Sequence, residues 1–278
     1  MKKLLIALVA AAILIVCGKT FAAPIDLSTW LEEGPGGGTW NVAADNNSVL
    51  QTVNSATPTF FISDNPFLNN TFESTISVNS SSGDNDFIGF VFGYNAPFSA
   101  NGDANTDFDF ILFDWKQGDQ DSATEGFHLT RVSGDFSDNV INHSTTGVSN
   151  SFWSHVDQGQ ANDEFTVLAS DTGSGKGWAY NTDYDFELIY QQNRIQIFID
   201  GGTYNNENIF DINGVFGAGS FGFYNFSQSQ VTYAGITQVV TPPAIPEPTT
   251  IALLGIGLVG LAGAEAKRRC KKKAAEKS

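Results

Sequence analysis

Asp84-Asn85-Asp86 sets three oxygen-bearing side chains just ahead of the apolar run Phe87 to Tyr94. About twenty residues further on, Asp107 and Asp109 fall on one face of a second candidate strand, with Asp114 near its end. Asp119 and Asp121 crowd the loop that follows. Carboxylates this close repel one another unless a cation lies among them. Ca²⁺ takes six to eight oxygens, mostly carboxylate and carbonyl. Asp84, Asn85, Asp86, Asp107 and Asp109 are therefore the candidate metal ligands, and solvated loop acids are the competing reading. The EF-hand pattern is absent, because no twelve-residue loop carries glycine sixth and glutamate twelfth.

Other chemistries find less support. Asp183-Tyr184-Asp185-Phe186-Glu187 alternates acidic side chains, as a glycosidase strand would, but lacks the E-x-D-x-x-E order of jelly-roll glucanases. It reads as the polar face of a strand. His128, His143 and His155 belong to no H-x-x-x-H or cysteine pattern and read as structural or surface residues. No G-x-S-x-G nucleophile motif occurs. Trp30, Trp40, Trp153 and Trp178 lie outside or at the edges of the strand candidates. They are open to two readings, platforms for sugar rings or core residues with a satisfied indole N–H.

The elements that must position these groups are short strands. Alternating or continuously apolar runs at Asn70–Val78, Phe87–Tyr94, Asp107–Trp115, Gly126–Val132, Asp183–Tyr190, Arg194–Ile199, Ser220–Asn225 and Val231–Thr237 are separated by Asn, Asp, Ser and Gly clusters. Ile195, Ile197 and Ile199 share one face. Phe87–Tyr94 is apolar on both faces, so both should be covered. Asp200-Gly201-Gly202 predicts a tight hairpin. Regular strands and no helical periodicity predict an all-β sandwich.

The ends carry targeting signals. Lys2 and Lys3, an apolar run from Leu4 to Val16 and small residues up to Ala22 predict a signal peptide over 1–22. The globular domain would span 23–240, with a proline-rich linker over 241–248. Residues 249–264 form an apolar segment, short for a membrane helix. A basic tail follows over 265–278, which the positive-inside rule keeps cytoplasmic.

Between Ala23 and Pro248 there are 28 acidic and four basic residues, a net charge of −24. This excludes charge-driven binding to nucleic acid or anionic lipid. Cys17 and Cys270, the two cysteines, lie in the leader and the tail, so the domain must be held by its core or by metal. The chain has 23 phenylalanines to build that core.

Pro246-Glu247-Pro248, the apolar segment and the Lys/Arg cluster together resemble the PEP-CTERM sorting signal of Gram-negative bacteria. That resemblance implies recognition by an exosortase, loss of the tail near Glu247, and passage from an inner-membrane-anchored precursor to the cell surface or extracellular matrix.

A second resemblance covers Thr71 to Thr237. The acidic strand ending G-F-V-F-G-Y, Trp115-Lys116-Gln117, Gly177-Trp178 and the closing Gly219-Ser220-Phe221-Gly222-Phe223 to Gln230 stretch occur in the order found in the C-terminal domain of thrombospondins. It implies a concanavalin A-like, L-type lectin jelly roll of two antiparallel sheets that binds Ca²⁺. The resulting expectation is a non-enzymatic surface or matrix protein that binds polysaccharide or a matrix protein. A glycan-acting hydrolase or lyase on the same fold, and a ligand-free structural matrix component, are the alternatives.

Overall fold

The computed structural model describes residues 22–34, 38–95, 106–136, 149–155, 165–240 and 267–268. The predicted leader up to residue 21, the apolar segment over 249–264, Pro246-Glu247-Pro248 and His143 lie outside the described residues. Among the described residues, no helix is long and apolar enough to cross a membrane. The chain divides into two units, Met1–Thr241 and Pro242–Ser278.

The first unit is a stack of two antiparallel sheets. Its strands are β1 (Ala23–Pro24), β2 (Leu31–Glu33), β3 (Trp40–Val42), β4 (Ser48–Gln51), β5 (Thr59–Phe67), β6 (Asn70–Val78), β7 (Phe87–Asn95) and β8 (Thr106–Lys116). They continue as β9 (Gly126–Phe136), β10 (Phe165–Thr172), β11 (Tyr184–Gln191), β12 (Arg194–Gly201), β13 (Tyr204–Asn213), β14 (Gly219–Phe226) and β15 (Val231–Val240). A six-residue helix, Ser149–Ser154, precedes β10. One sheet runs β13-β12-β11-β6-β15-β4-β3, with β1 added beside β15. The other runs β10-β9-β8-β7-β14-β5-β2. Each of the eight predicted strands is present, most of them longer by a residue or more.

Alternation builds the interface between the sheets. On β12, Ile195, Ile197 and Ile199 point inward and are fully buried, while Gln196 and Phe198 face outward and are half-buried. Aromatic rings fill the space where the sheets meet. Phe72 of β6 stacks on Phe221 of β14 at 4.0 Å between centroids, and Tyr233 of β15 on Phe223 at 4.3 Å. Trp115 meets Tyr184 edge-on at 4.7 Å. Offset and edge-to-face pairs of this kind add about 0.5–1.5 kcal/mol each beyond the area they bury. The predicted hairpin joins β12 to β13, with Gly201 at φ 118° and Gly202 at φ 58°, conformations that glycine reaches without steric cost.

The two sheets differ on their outer sides. The outer face of the seven-stranded sheet is itself buried. Phe87 and Val91 of β7, Phe110 and Leu112 of β8, and Tyr224 and Phe226 of β14 form a second apolar cluster with Phe152 and Trp153 of the helix. This explains why β7 is apolar on both faces. The outer face of the eight-stranded sheet carries polar residues open to solvent.

Trp30, Trp40, Trp153 and Trp178 are all buried, between 2% and 9% exposed, so all four are core residues. Trp178 donates its indole N–H to the Asp86 carbonyl at 3.1 Å.

Candidate functional site

The open face of the eight-stranded sheet holds a shallow cleft over β6, β11 and β12. Its lining includes Glu73, Thr75, Asp185, Glu187, Phe198 and Asp200. Period-two alternation puts these groups there, because each outward residue is flanked by inward apolar ones, as in Tyr184-Asp185-Phe186-Glu187-Leu188. Register then brings them together. Asp185 lies opposite Thr75 and Glu187 opposite Glu73, while Glu187 also faces Phe198 and Asp185 faces Asp200. The Thr75 hydroxyl donates to Asp185 Oδ1 at 2.6 Å, and the Thr237 hydroxyl donates to Glu73 Oε2 at 3.1 Å. Asp200 Oδ1 accepts from the backbone N–H of Gly201 at 3.1 Å and of Asn206 at 3.3 Å. Carboxylates fixed in this way present remaining lone pairs to solvent, beside the half-buried ring of Phe198. Such a floor can accept hydrogen bonds from hydroxyl groups while the ring covers an apolar surface. Among the described residues, no Lys or Arg lines the cleft.

The five acidic and amide residues expected to hold calcium do not form one constellation. Asp84, Asn85 and Asp86 precede the start of β7, whereas Asp109 lies opposite Asn95 at its far end. Nine residues of extended chain separate the two groups, on the order of 25 Å. Asp107 pairs with Asp135 in the β8–β9 ladder.

Each of the other acids has a protein partner. Asp86 Oδ1 lies 2.6 Å from the Lys116 ammonium, with both side chains buried. Burial pushes the Asp86 carboxyl above its ordinary range, and Lys116 opposes that shift. Asp84 accepts from the Asn85 backbone N–H and from the Asn54 amide. Asp109 takes the Arg131 guanidinium through both oxygens, at 3.2 and 3.1 Å. As they stand, Asp86 and Asp109 do not fit a calcium ion, because Lys116 and Arg131 already supply the positive charge there.

A different trio does converge. Asp114, His128 and His155 place three ligand atoms within 4.8 Å of one another, the one such His/Cys/Asp/Glu group among the described residues. Asp114 and His128 are direct neighbours across β8 and β9, and the same row continues through Gly89 of β7 to Tyr224 of β14. His155 reaches them from the end of the helix. Its Nε2 lies 2.7 Å from Asp114 Oδ2, and its ring stacks on that of His128 at 3.7 Å and 5°. His128 Nδ1 is 3.7 Å from Asp114 Oδ1. Burial, and then the neighbouring His155, press the His128 pKa down to about 4, so this imidazole is neutral at neutral pH.

Histidine spacing gave no sign of the trio, since the fold joins residues from two strands and a helix. One sign was present in the sequence: Asp114 interrupts Phe110-Ile111-Leu112-Phe113 and Trp115, a strand apolar on both faces.

Comparison with known proteins gives the relationships. A protein of unknown function with a galectin-like fold from Bacillus subtilis superposes with a TM-score of 0.50 at 11% identity, over 79% of this chain and 94% of the other. The VIP36 exoplasmic/lumenal domain in its Ca²⁺/Man-bound form gives 0.49 at 16% identity, over 78% of this chain and 85% of that one. The carbohydrate-binding module CBM66 from Bacillus subtilis gives 0.47 at 14%, over 76% and 95%. No curated protein sequence matches. Residues 244–269 match the PEP-CTERM protein-sorting motif, which marks an exported protein. Residues 37–240, nearly the whole of the two-sheet unit, match the thrombospondin C-terminal region, and the chain belongs to that family.

Proposed function

We propose that this protein is a non-enzymatic binding module of the bacterial surface or extracellular matrix, and that the open face of its eight-stranded sheet binds polysaccharide. The observation that carries this reading is the cleft itself. Carboxylates from neighbouring strands flank the Phe198 ring on the outward face of the eight-stranded sheet, which no described element covers. Sugar rings offer matching chemistry, with hydroxyls at their edges and an apolar C–H face. Sorting supports the location: exosortase would recognise Pro246-Glu247-Pro248, hold the precursor at the inner membrane through residues 249–264, and release the domain by removing the tail.

The test is binding of the exported protein to neutral and uronic-acid polysaccharides, measured by glycan array and calorimetry. Saturable binding that weakens when Phe198 is replaced by Ala supports the reading. Binding that ignores the change, or no binding to any glycan, removes it.

A hydrolase reading rests on one observation, the direct opposition of Glu73 and Glu187 across β6 and β11. Release of reducing ends, lost in Glu187→Gln, would favour it over binding alone.

A further inference from the structure

We infer that Asp114, His128 and His155 form a buried site for one divalent d-block cation, with Zn²⁺ the most suitable occupant. The site lies on the outer side of the seven-stranded sheet, away from the polysaccharide cleft.

Three observations converge on it. The first is the donor set. Two imidazoles and one carboxylate, with ligand atoms within 4.8 Å, suit Zn²⁺ and its d-block neighbours and are poor for Ca²⁺, which prefers oxygen. The second is unmet polarity. Asp114 is fully buried and its Oδ1 has no hydrogen-bond partner among the described residues; His128 is 8% exposed and its Nδ1 has none among them either. These two atoms face each other at 3.7 Å, too far for a hydrogen bond. A cation between them would satisfy both. The Tyr224 hydroxyl, in the same cross-strand row, is also fully buried without a hydrogen-bond partner among the described residues. Leaving a buried polar atom unsatisfied is costly, so the two facing atoms call for a common partner.

The third observation is how the site is built. Gly89 sits between Tyr224 and Asp114, where a Cβ would come within 2.0 Å of the Phe113 carbonyl oxygen. Only glycine fits there, so no side chain stands between the two groups. His155 is held at φ 55°, a backbone state uncommon outside glycine, and its N–H closes back on the Ser151 carbonyl at 2.8 Å. The chain turns sharply there, and that turn brings the imidazole onto Asp114. His155 presents Nε2 as a ligand once its ring proton resides on Nδ1.

The charge arrangement agrees. Lys116, two residues from Asp114 on the same face, is bound to Asp86 and covered by Phe87 and Trp153 at 5.1 and 4.7 Å. It is already paired, and the described charge partners of Asp114 are the two imidazoles.

The experiment uses the full-length chain, purified without an affinity tag in mild detergent, stripped with chelator and returned to metal-free buffer. Added Zn²⁺ should bind at one equivalent per chain and raise the melting temperature. Co²⁺ should give a ligand-field absorption band in the visible, and zinc X-ray absorption should show imidazole scattering from two rings. Asp114→Asn and His128→Gln should each weaken Zn²⁺ binding by about 100-fold or more, while Asp109→Asn leaves it unchanged. If the buried variants fail to fold, the wild-type X-ray absorption spectrum decides alone. Substoichiometric zinc with an unchanged melting curve, a zinc shell without imidazole, or equal stabilisation by Ca²⁺ alone would overturn the assignment. The trio would then be a hydrogen-bonded histidine–aspartate cluster only.

Discussion

The Lys116 ammonium sits 2.6 Å from Asp86 Oδ1, and neither side chain reaches solvent. The ammonium also lies 3.2 Å from the Asn85 carbonyl oxygen, to which it donates. One lysine thus neutralises the acidic approach to β7 from inside the fold. Removing it strands a carboxylate in an apolar shell. Lys116→Met should destabilise the domain by about 3–5 kcal/mol. Pairing it with Asp86→Asn should recover much of the loss, because the uncompensated charge goes too. Denaturant titration of the single and double variants checks this. Equal stability of Lys116→Met and wild type would contradict it.

Tyr233 ties the two sheets together by hydrogen bonds. Its hydroxyl lies 2.8 Å from both the Tyr224 carbonyl and Asn225 Oδ1, donating to one of them, and accepts the Gly89 N–H at 3.2 Å. Tyr233→Phe keeps the ring stack on Phe223 but leaves that N–H unsatisfied. The expected cost is about 1–3 kcal/mol, read as a shift in the denaturant midpoint with no change in slope.

Alkaline pH should unfold the protein in one step. Burial raises the phenol pKa values of Tyr190, Tyr204 and Tyr233 well above the ordinary range. An unfolded tyrosine ionises near ~10, so the folded state holds more protons beyond that point. The stability these groups contribute is whole below about pH 10 and declines as pH rises past it. Phenolate absorbance should appear late and together with loss of tertiary structure. A smooth titration of all seven tyrosines near the ordinary value, with the fold intact, would count against this burial.

In the cleft, Phe198→Ala should weaken polysaccharide binding by about tenfold, the loss of roughly 1–1.5 kcal/mol of aromatic contact. Its far-UV spectrum should stay as in wild type, since Phe198 is on the outer face of β12. Surface plasmon resonance against an immobilised glycan provides the measurement.

Mass spectrometry of protein recovered from the cell surface should find a species ending near Glu247, without the basic residues after it. A surface species that keeps Lys267 and Arg268 would contradict exosortase processing.

Strands whose residues alternate or stay apolar were readable in the sequence, and β6 was placed to the residue. β5 was not, because Asp64-Asn65-Pro66 looks like a turn, yet the strand continues through it with a register shift against β14. β13 was hidden for another reason. Asn205, Asn206, Glu207 and Asn208 are exposed on it, so no apolar period exists to detect. The carboxylates of the cleft were visible as the polar face of a strand, but which strands lie beside it depends on register. Asp114, His128 and His155 were invisible as a group for the same reason: pairing of β8 with β9 and the sharp turn after the helix create the proximity. The clustered aspartates drew attention by composition, while Lys116, a single cation hidden in an apolar run, determined how Asp86 is used.

That polar stretch of β13 occupies one border of its sheet. A border strand normally invites a neighbouring molecule to continue the ladder. Here irregular register against β12 and solvent-facing Asn205, Asn206, Glu207 and Asn208 spoil the template. Neighbouring copies of the exported protein should therefore resist zipping into fibrils along this side.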